Sequence, residues 1–191
     1  MGRLTLVTGG ARSGKSTFAE KLVASFGDNI CYIATSIPFD EGMIDRIKKH
    51  KEQRPSDWDT LEAYEDIHLH IAKRTGNYDA YILDCITLLV TNLMFKDMPD
   101  YDTLDFDGIE GIERMIAEQI DLMVQAMRLA DDNVVLVTNE VGLGIVPENK
   151  IARVYRDIAG RVNQQLGNLC DDVYLVVCGQ AMHIKKGEVI G

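Results

Sequence analysis

The stretch Gly9-Gly10-Ala11-Arg12-Ser13-Gly14-Lys15-Ser16-Thr17 decides the fold of this chain. It fits the pattern G-x-x-x-x-G-K-[ST] and lies between an apolar run, Leu4–Thr8, and a segment with helical spacing, Thr17–Ser25. Glycines let backbone N–H groups turn inward around phosphate oxygens, and the start of the next helix adds further N–H donors. Lys15 supplies a charge for the β- and γ-phosphates, and the Ser16 hydroxyl suits Mg²⁺. The pattern predicts a phosphate-binding loop rather than an ordinary glycine-rich turn.

Length and composition predict one globular domain over residues 1–191. Hydrophobic residues make up 46% of the chain and charged residues 26%, and the formal net charge is −10. The negative charge argues against a nucleic-acid or anionic-membrane partner, although a nucleotide site can be positive locally. No apolar run reaches the ~18 residues of a membrane span, and no signal peptide is recognisable, so we expect a cytoplasmic protein. The four cysteines, Cys31, Cys85, Cys170 and Cys178, are expected to be buried free thiols.

Apolar runs alternate with helical segments along the chain, which predicts an α/β fold. The runs are mostly continuous, as in strands that are buried on both faces of a parallel sheet. The expected strands are Leu4–Thr8, Ile30–Thr35, Ala80–Asp84, Val134–Thr138 and Val173–Cys178. The clearest expected helices are Glu110–Leu129 and Glu148–Leu169, the second preceded by Pro147.

Two segments interrupt this alternation. Residues 96–108 are acidic and rich in turn formers, which predicts a surface loop; a Ca²⁺ loop is disfavoured because the ligand spacing is wrong. That loop is also a candidate lid over a bulky substrate, although a solvated loop is the simpler interpretation. Residues 140–148 follow the fourth strand at its carboxyl end, which is where α/β sheets bind ligands.

Asp84 ends the strand Ala80–Asp84. A carboxylate at the tip of a buried strand near a phosphate loop is suited to Mg²⁺, usually through water. The alternative is that Asp84 caps the helix that begins at Ile86. We favour the metal role.

His50 lies in a basic segment, Met43–Pro55, that is predicted to be helical up to the proline. Lys49 and Lys51 flank it, and nearby cations favour a neutral imidazole that can act as a nucleophile or base. Taken alone, the pattern is more typical of a solvated surface histidine. His68, His70 and His183 are expected to be structural or solvated.

Guanine-nucleotide switch proteins share the phosphate loop but not the rest of this pattern. Their N-K-x-D signature is absent here. D-x-x-G occurs at Asp105–Gly108, in the acidic segment, and at Asp157–Gly160, within a predicted helix, and neither follows a strand. A switch GTPase is therefore disfavoured.

The chain resembles the bifunctional adenosylcobinamide kinase/adenosylcobinamide-phosphate guanylyltransferases over nearly its whole length. The two most specific matching segments are His50-Lys51-Glu52-Gln53-Arg54-Pro55 and residues 139–148, Asn-Glu-Val-Gly-Leu-Gly-Ile-Val-Pro-Glu. Further matching segments are 8–16, 32–36, 46–51, 58 with 62, 84–87, 90–92, 137–142, 156–164 and 173–177. The resemblance implies a RecA-like P-loop fold, a mostly parallel sheet flanked by helices, and a homotrimer.

This resemblance also implies two reactions. A nucleoside triphosphate, ATP or GTP, phosphorylates adenosylcobinamide; GMP then moves from GTP to that phosphate through a guanylyl-histidine at His50, releasing pyrophosphate. Lys15 and His50 are the implied catalytic residues, and Ser16 and Asp84 the implied Mg²⁺ ligands. The implied nucleotide contacts are Gly9, Gly10, Ala11, Arg12, Ser13, Gly14, Lys15, Ser16, Ala34, Thr35, Ser36, Lys51, Glu52, Gln53, Arg54, Glu62 and Asp84.

The chain departs from the family at Asp84, where a glutamate is common, so metal coordination is expected to involve an extra water. Two other functions remain open from the sequence. One is a kinase without a nucleotidylated His50, and the other is a protein that binds nucleotide or corrinoid without turning it over. His50 separates the first from the bifunctional enzyme, and Lys15 with Asp84 separates catalysis from binding.

Overall fold

The computed structural model describes residues 2–37, 41 and 55–187. The strands are β1 (Leu4–Thr8), β2 (Ile30–Ala34), β3 (Asp59–Glu62), β4 (Ala80–Asp84), β5 (Asn133–Val137), β6 (Asp172–Val177) and β7 (Gln180–Lys185). The helices in the described ranges are α1 (Lys15–Ala24), α2 (Ile67–Ala72), α3 (Ile86–Met94), α4 (Phe106–Ala130) and α5 (Lys150–Leu169).

All of the described strands form one sheet, in the order β3-β2-β4-β5-β1-β6-β7. Every neighbouring pair is parallel except β6 with β7. Helices cover both faces: Ala19 and Val23 of α1 belong to one core layer, and residues of α2 to α5 belong to the other. The expected fold class, a P-loop α/β fold with a mostly parallel sheet flanked by helices, is therefore confirmed.

The two edge strands were not predicted from the sequence. Three of the four residues of β3 are exposed, so this strand has no continuous apolar run. Strand β7 is also largely exposed and pairs with β6 through a tight turn. Edge strands are exposed to solvent. These two therefore show neither a continuous apolar run nor a clear alternation of apolar and polar residues, which are the patterns that predict a strand.

Helix boundaries differ from the prediction where a cap decides them. Helix α1 begins at Lys15 rather than Thr17, because Gly14 is its N-cap with φ 93°. Helix α5 begins at Lys150, since the Asn149 side chain accepts a hydrogen bond from the Ala152 N–H at 3.1 Å. Helix α4 begins at Phe106, so the predicted loop over 96–108 is wrong at its end.

The acidic segment is anchored to the core. Tyr101 is only 3% exposed and its hydroxyl donates to the Met94 carbonyl at 2.8 Å. The Lys150 ammonium donates to the Leu104 carbonyl at 2.9 Å. Asp105 caps α4 by accepting from the Gly108 N–H, so the first D-x-x-G sequence is a helix start. A fully solvated loop is therefore the wrong description of this segment.

Three of the four cysteines are buried as expected, whereas Cys178 is exposed in the turn between β6 and β7. The apolar run predicted as a strand through Cys178 ends at Val177, because Cys178 has φ 52° and opens a tight reversal. Burial raises the pKa of the Cys31 thiol to about 11 and that of the Cys170 thiol to about 12. These two thiols are therefore neutral in the folded protein at neutral pH.

Helix α5 extends well beyond the end of β5. Asn163 lies level with that end, because its amide donates to the Asn139 carbonyl and its oxygen accepts from the Thr138 hydroxyl. Residues 150–162 therefore form roughly 20 Å of helix beyond the point where α5 meets the strand. The loop of residues 139–149 returns along this part of α5.

Candidate functional site

The phosphate-binding loop closes between β1 and the first turn of α1. Lys15 is 8% exposed, and its ammonium donates to the Gly10 carbonyl at 3.2 Å. The Phe18 N–H donates to the Gly14 carbonyl at 3.0 Å, so the helix starts directly at the loop. The loop therefore places the lysine at the helix N-terminus, where a phosphate is stabilised.

Two neighbouring turns hold the phosphate-binding loop in place. The Glu140 N–H, just after β5, donates to the Gly9 carbonyl at 3.0 Å. The Gly179 N–H, in the turn after β6, donates to the Ser13 carbonyl at 2.8 Å. A Cβ on Gly9 would lie 2.4 Å from the Val176 carbonyl oxygen, so this position requires glycine.

Strand register aligns the other predicted site residues with the phosphate-binding loop. Glu62 pairs with Ala34, and Ala34 pairs with Asp84. Asp84 pairs with Val137, and Val137 pairs with Val7, which lies two residues before Gly9. Since strands lie about 4.8 Å apart, this row places Asp84 roughly 10 Å from the strand that carries the loop.

The Asp84 side chain belongs to the same face of the sheet as α1. Ala34, Ile82 and Val137 pack in the core layer that contains Ala19 and Val23 of α1. Side chains alternate between the two faces along a strand, so Asp84 lies on the face of Ile82. The capping alternative is wrong, because Cys85 is the N-cap of α3 and no side chain caps that helix.

Asp84 and Ser16 are of a chemical type that could hold a magnesium ion. Asp84 is half-buried at the carboxyl end of β4, on the face of the sheet that α1 covers, and Ser16 is the second residue of α1. Within the described ranges, no three His, Cys, Asp or Glu side chains group together as a metal cage. Mg²⁺ in nucleotide enzymes uses one or two protein oxygens, with water and phosphate completing the octahedron, so this sparse set suits it.

Thr35 has a structural role that the sequence did not reveal. It is fully buried, its hydroxyl donates to the Cys85 carbonyl at 2.8 Å, and the same oxygen accepts from the Cys85 N–H at 2.9 Å. The Asn92 amide donates to the Thr35 carbonyl at 2.7 Å. Thr35 therefore joins β2 to the turn after β4, and its contact with nucleotide stays a prediction, as do those of Ala34 and Ser36.

A polar network beside Asp84, around the side chain of Cys85, was also not predicted from the sequence. The Asn139 amide donates to the Thr87 hydroxyl at 2.7 Å, and that hydroxyl lies 3.0 Å from the Cys85 sulfur. Burial and the nearby Asp84 charge raise the pKa of the Cys85 thiol to about 11, so the free thiol is neutral at neutral pH. The polar residues after β5 were the signal for this network.

Five of the predicted site residues lie outside the described residues. They are His50, Lys51, Glu52, Gln53 and Arg54, and their roles stay predictions. Of the other histidines, His68 and His70 lie on α2. The His183 ring stacks on the Tyr174 ring with a centroid separation of 4.1 Å. The His183 Nε2 also lies 2.8 Å from a carboxylate oxygen of Asp172.

None of the helices in the described ranges is long and apolar enough to cross a membrane.

The fold and the site together define a nucleotide-binding P-loop protein of the α/β class. The model of the CobU family, cobinamide kinase / cobinamide phosphate guanyltransferase, matches residues 5–184. The chain belongs to this family, and it is a bifunctional cobinamide kinase and cobinamide phosphate guanylyltransferase.

Curated relatives agree over nearly their whole length. The chain is 46% identical over 182 residues to the bifunctional adenosylcobalamin biosynthesis protein CobU of Salmonella typhimurium, covering 95% of this chain and 99% of the relative. It is 43% identical to the Escherichia coli protein of the same description over 182 residues, with the same two coverages. It is 34% identical over 183 residues to the CobP protein of Pseudomonas aeruginosa, covering 96% of this chain and 97% of the relative.

Two solved structures resemble the chain more distantly. The KaiC-like protein PH0186 of Pyrococcus horikoshii has a TM-score of 0.46 and 13% identity, with 91% of this chain and 70% of that chain covered. The RadB recombinase has a TM-score of 0.48 and 16% identity, with 91% and 73% covered.

Proposed function

We propose that both reactions use the nucleotide site formed by the phosphate-binding loop and the aligned ends of β2, β3 and β4. The observation that carries this proposal is the register row from Glu62 through Ala34 and Asp84 to Val7. In this row the Asp84 carboxylate is at the carboxyl end of β4, on the face that α1 covers, which supports the proposal. This arrangement suits a nucleoside triphosphate, GTP or ATP, bound with Mg²⁺.

In the proposed site, residues 9–16 would surround the phosphates, and Ser16 and Asp84 would hold Mg²⁺. The ion would neutralise charge that builds up on the phosphate oxygens. The remaining nucleotide contacts are proposed for Ala34, Thr35, Ser36, Lys51, Glu52, Gln53, Arg54 and Glu62. A carboxylate at Glu62 accepts hydrogen bonds from the N–H donors of a guanine edge, which would favour GTP in the second reaction.

The first reaction is a phosphoryl transfer to adenosylcobinamide. The aminopropanol hydroxyl attacks the γ-phosphorus and loses its proton, and the bond from that phosphorus to the bridging oxygen breaks. The nucleoside diphosphate leaves with the electron pair. Lys15 stabilises the charge that develops on the β- and γ-oxygens, as in other P-loop enzymes.

In the second reaction we propose that a neutral His50 nitrogen attacks the α-phosphorus of GTP. The bond to the bridging oxygen breaks, pyrophosphate leaves, and the imidazole loses its other N–H proton to give a guanylyl-histidine. A phosphate oxygen of adenosylcobinamide phosphate then attacks the same phosphorus. The phosphorus–nitrogen bond breaks, the histidine regains its proton, and adenosylcobinamide-GDP is released.

The decisive experiment uses GTP labelled at the α-phosphate, with Mg²⁺ and without corrinoid. We expect acid-labile, base-stable label on the wild type and none on His50→Ala, because only the imidazole carries the phosphorus. His68→Ala is the matched control and should label as the wild type does. The absence of label on the wild type, with corrinoid phosphorylation intact, would leave a kinase alone.

We also propose a cytoplasmic homotrimer, by resemblance to the family. The buried, unpaired thiols of Cys31, Cys85 and Cys170 suit a reducing compartment. Recovery of the native protein in a membrane or extracellular fraction of its host would contradict that location.

A further inference from the structure

An open cavity lies between the loop after β5 and the outward face of α5. Its volume is about 480 Å³. Gly142, Gly144 and Val146 line it from the loop, and Arg156, Arg161 and Gln164 line it from the helix. Neither the nucleotide contacts nor the proposed metal ligands are in this lining.

The cavity adjoins the phosphate-binding loop through two hydrogen bonds. The Gly142 N–H donates to a carboxylate oxygen of Glu140 at 2.7 Å. The Glu140 N–H donates in turn to the Gly9 carbonyl at 3.0 Å. The cavity is therefore connected to the phosphate-binding loop through Gly142 and Glu140.

Among the described residues, Arg156 is the cation of this cavity whose polar contacts are all long. Its neighbour Arg161 donates from Nε and Nη2, one edge of its guanidinium, to the two carboxylate oxygens of Glu113. Arg153 donates to the carbonyls of Pro147 and Glu148. Within residues 2–37, 41 and 55–187, the Arg156 guanidinium makes two long hydrogen bonds of 3.4 Å, both to one carboxylate oxygen of the adjacent Asp157. Its side chain is only 21% exposed.

A largely covered guanidinium with weak partners is suited to an anion that enters from outside. Phosphate and guanidinium groups make paired, charge-assisted hydrogen bonds, and the Gln164 amide in the same lining can donate as well. Asp157 keeps the cavity from being strongly positive, which favours one anionic group over a whole triphosphate.

The rim of the cavity is apolar. Leu143 is 87% exposed, Ile145 is 96% exposed and Val146 is 58% exposed. This surface suits the bulky ring system of a corrinoid, and the cavity volume of about 480 Å³ has room for a phosphate and the arm that carries it.

We propose that this cavity holds the phosphate of cobinamide phosphate, with Arg156 as its binding cation and the Leu143–Val146 rim against the corrinoid ring. The inference rests on the proposed function and extends it, because it locates the acceptor of the second reaction. Held there, the acceptor phosphate would be linked to the phosphate-binding loop through Gly142 and Glu140.

The test compares the wild type with Arg156→Gln in three assays. We expect the KM for cobinamide phosphate in guanylyl transfer to rise about tenfold to a hundredfold, as loss of a charged hydrogen-bond donor predicts. The KM for cobinamide, whose arm ends in a neutral hydroxyl, should change much less. Label transfer from GTP to the enzyme without corrinoid should be unchanged.

Arg156→Lys keeps the charge but loses the paired geometry, so it should recover part of the affinity. Arg114→Gln, which removes an exposed arginine on α4 outside the cavity, should match the wild type in every assay. An Arg156→Gln enzyme with wild-type KM for cobinamide phosphate would overturn the inference. Failure of the wild type to label from GTP would instead contradict the proposed guanylyl-histidine.

The rim is tested separately with Ile145→Ser. We expect a higher KM for both corrinoid substrates and an unchanged KM for GTP. Unchanged corrinoid kinetics would remove the rim from the site. A lower oligomeric state of this variant together with unchanged kinetics would assign the loop to contact between copies of the chain.

Discussion

Gly9 occupies a position where neighbouring backbone leaves no space for a side chain. An added Cβ would lie 2.4 Å from the Val176 carbonyl oxygen and 2.7 Å from the Ser13 hydroxyl oxygen. Gly10, the next residue, has no atom within 4 Å of the same added carbon. Crowding by neighbouring backbone therefore accounts for glycine at position 9 and does not account for it at position 10.

We expect Gly9→Ala to lower the free energy of unfolding by about 1–3 kcal/mol, because strand β6 must move to relieve the contact. Urea unfolding at neutral pH measures this change. Gly10→Ala is the matched control and should leave the free energy of unfolding nearly unchanged. Equal stability of the two variants would show that the loop has more room beside Val176 than the structure indicates.

At the scale of elements, Asp171 joins β1, α4 and the start of β6. One carboxylate oxygen accepts from the Leu4 N–H at 2.8 Å, and both oxygens accept from the Arg128 guanidinium at 2.8 Å. Burial would raise the pKa of Asp171, but the hydrogen bonds from Arg128 and Leu4, with the charges of Arg128 and Arg3, outweigh it and lower the pKa below 3.8. The ionised form is therefore the one that the fold favours.

We expect Asp171→Asn to lower the free energy of unfolding by about 1–3 kcal/mol at pH 7. The folded-state pKa lies below the unfolded value, so the wild type has this stabilisation in full above the unfolded pKa and loses it as the pH falls through the folded pKa. The difference between the two proteins should therefore shrink below about pH 4, which denaturant titrations at several pH values measure. Asp28→Asn, an exposed position between α1 and β2, is the control; a pH-independent difference for Asp171→Asn would contradict the assignment.

At the scale of the whole molecule, apolar residues remain exposed on the β6–β7 side of the sheet. Val177 is 48% exposed, Met182 is 50% exposed and Ile184 is 60% exposed. Strand β7 is also the last strand of the sheet, and no strand of the described residues pairs with its outer side. Edges and apolar surface of this kind are typical of contact regions between chains.

From the proposed homotrimer, which rests on resemblance to the family, we expect the protein to sediment at about three times the 21.3 kDa mass of one chain. Sedimentation equilibrium at micromolar concentration measures this mass directly. A species of single-chain mass at that concentration would contradict the trimer. The catalytic assays should be made at the same concentration, so that assembly and activity can be compared.

The local elements of the site were predictable because short-range patterns define them. The phosphate-binding loop was recognised from Gly9, Gly14 and Lys15, which need only chain connectivity and a following helix. Asp84 was recognised because a polar residue ends a continuous apolar run. The central strands were placed within one residue at each end, since they are buried on both faces. The single-domain assignment over residues 1–191 and the roles of His50 to Arg54 stay predictions.

Long-range pairing decided the rest. Strand register aligned Glu62, Ala34 and Asp84, which are far apart in the chain and carry no shared pattern. Likewise, the cavity around Arg156 forms because the loop after β5 returns along α5. The side chains of Thr35 and Asn139 are held by hydrogen bonds to Cys85 and Thr87, which are more than 45 residues away in the chain. By itself the sequence determined the buried central strands, the strand and helix that flank the phosphate-binding loop, and the chemistry of that loop, because all of these arise from neighbouring residues. Only the tertiary structure decided which distant side chains share a site, because packing and register between strands depend on the whole fold.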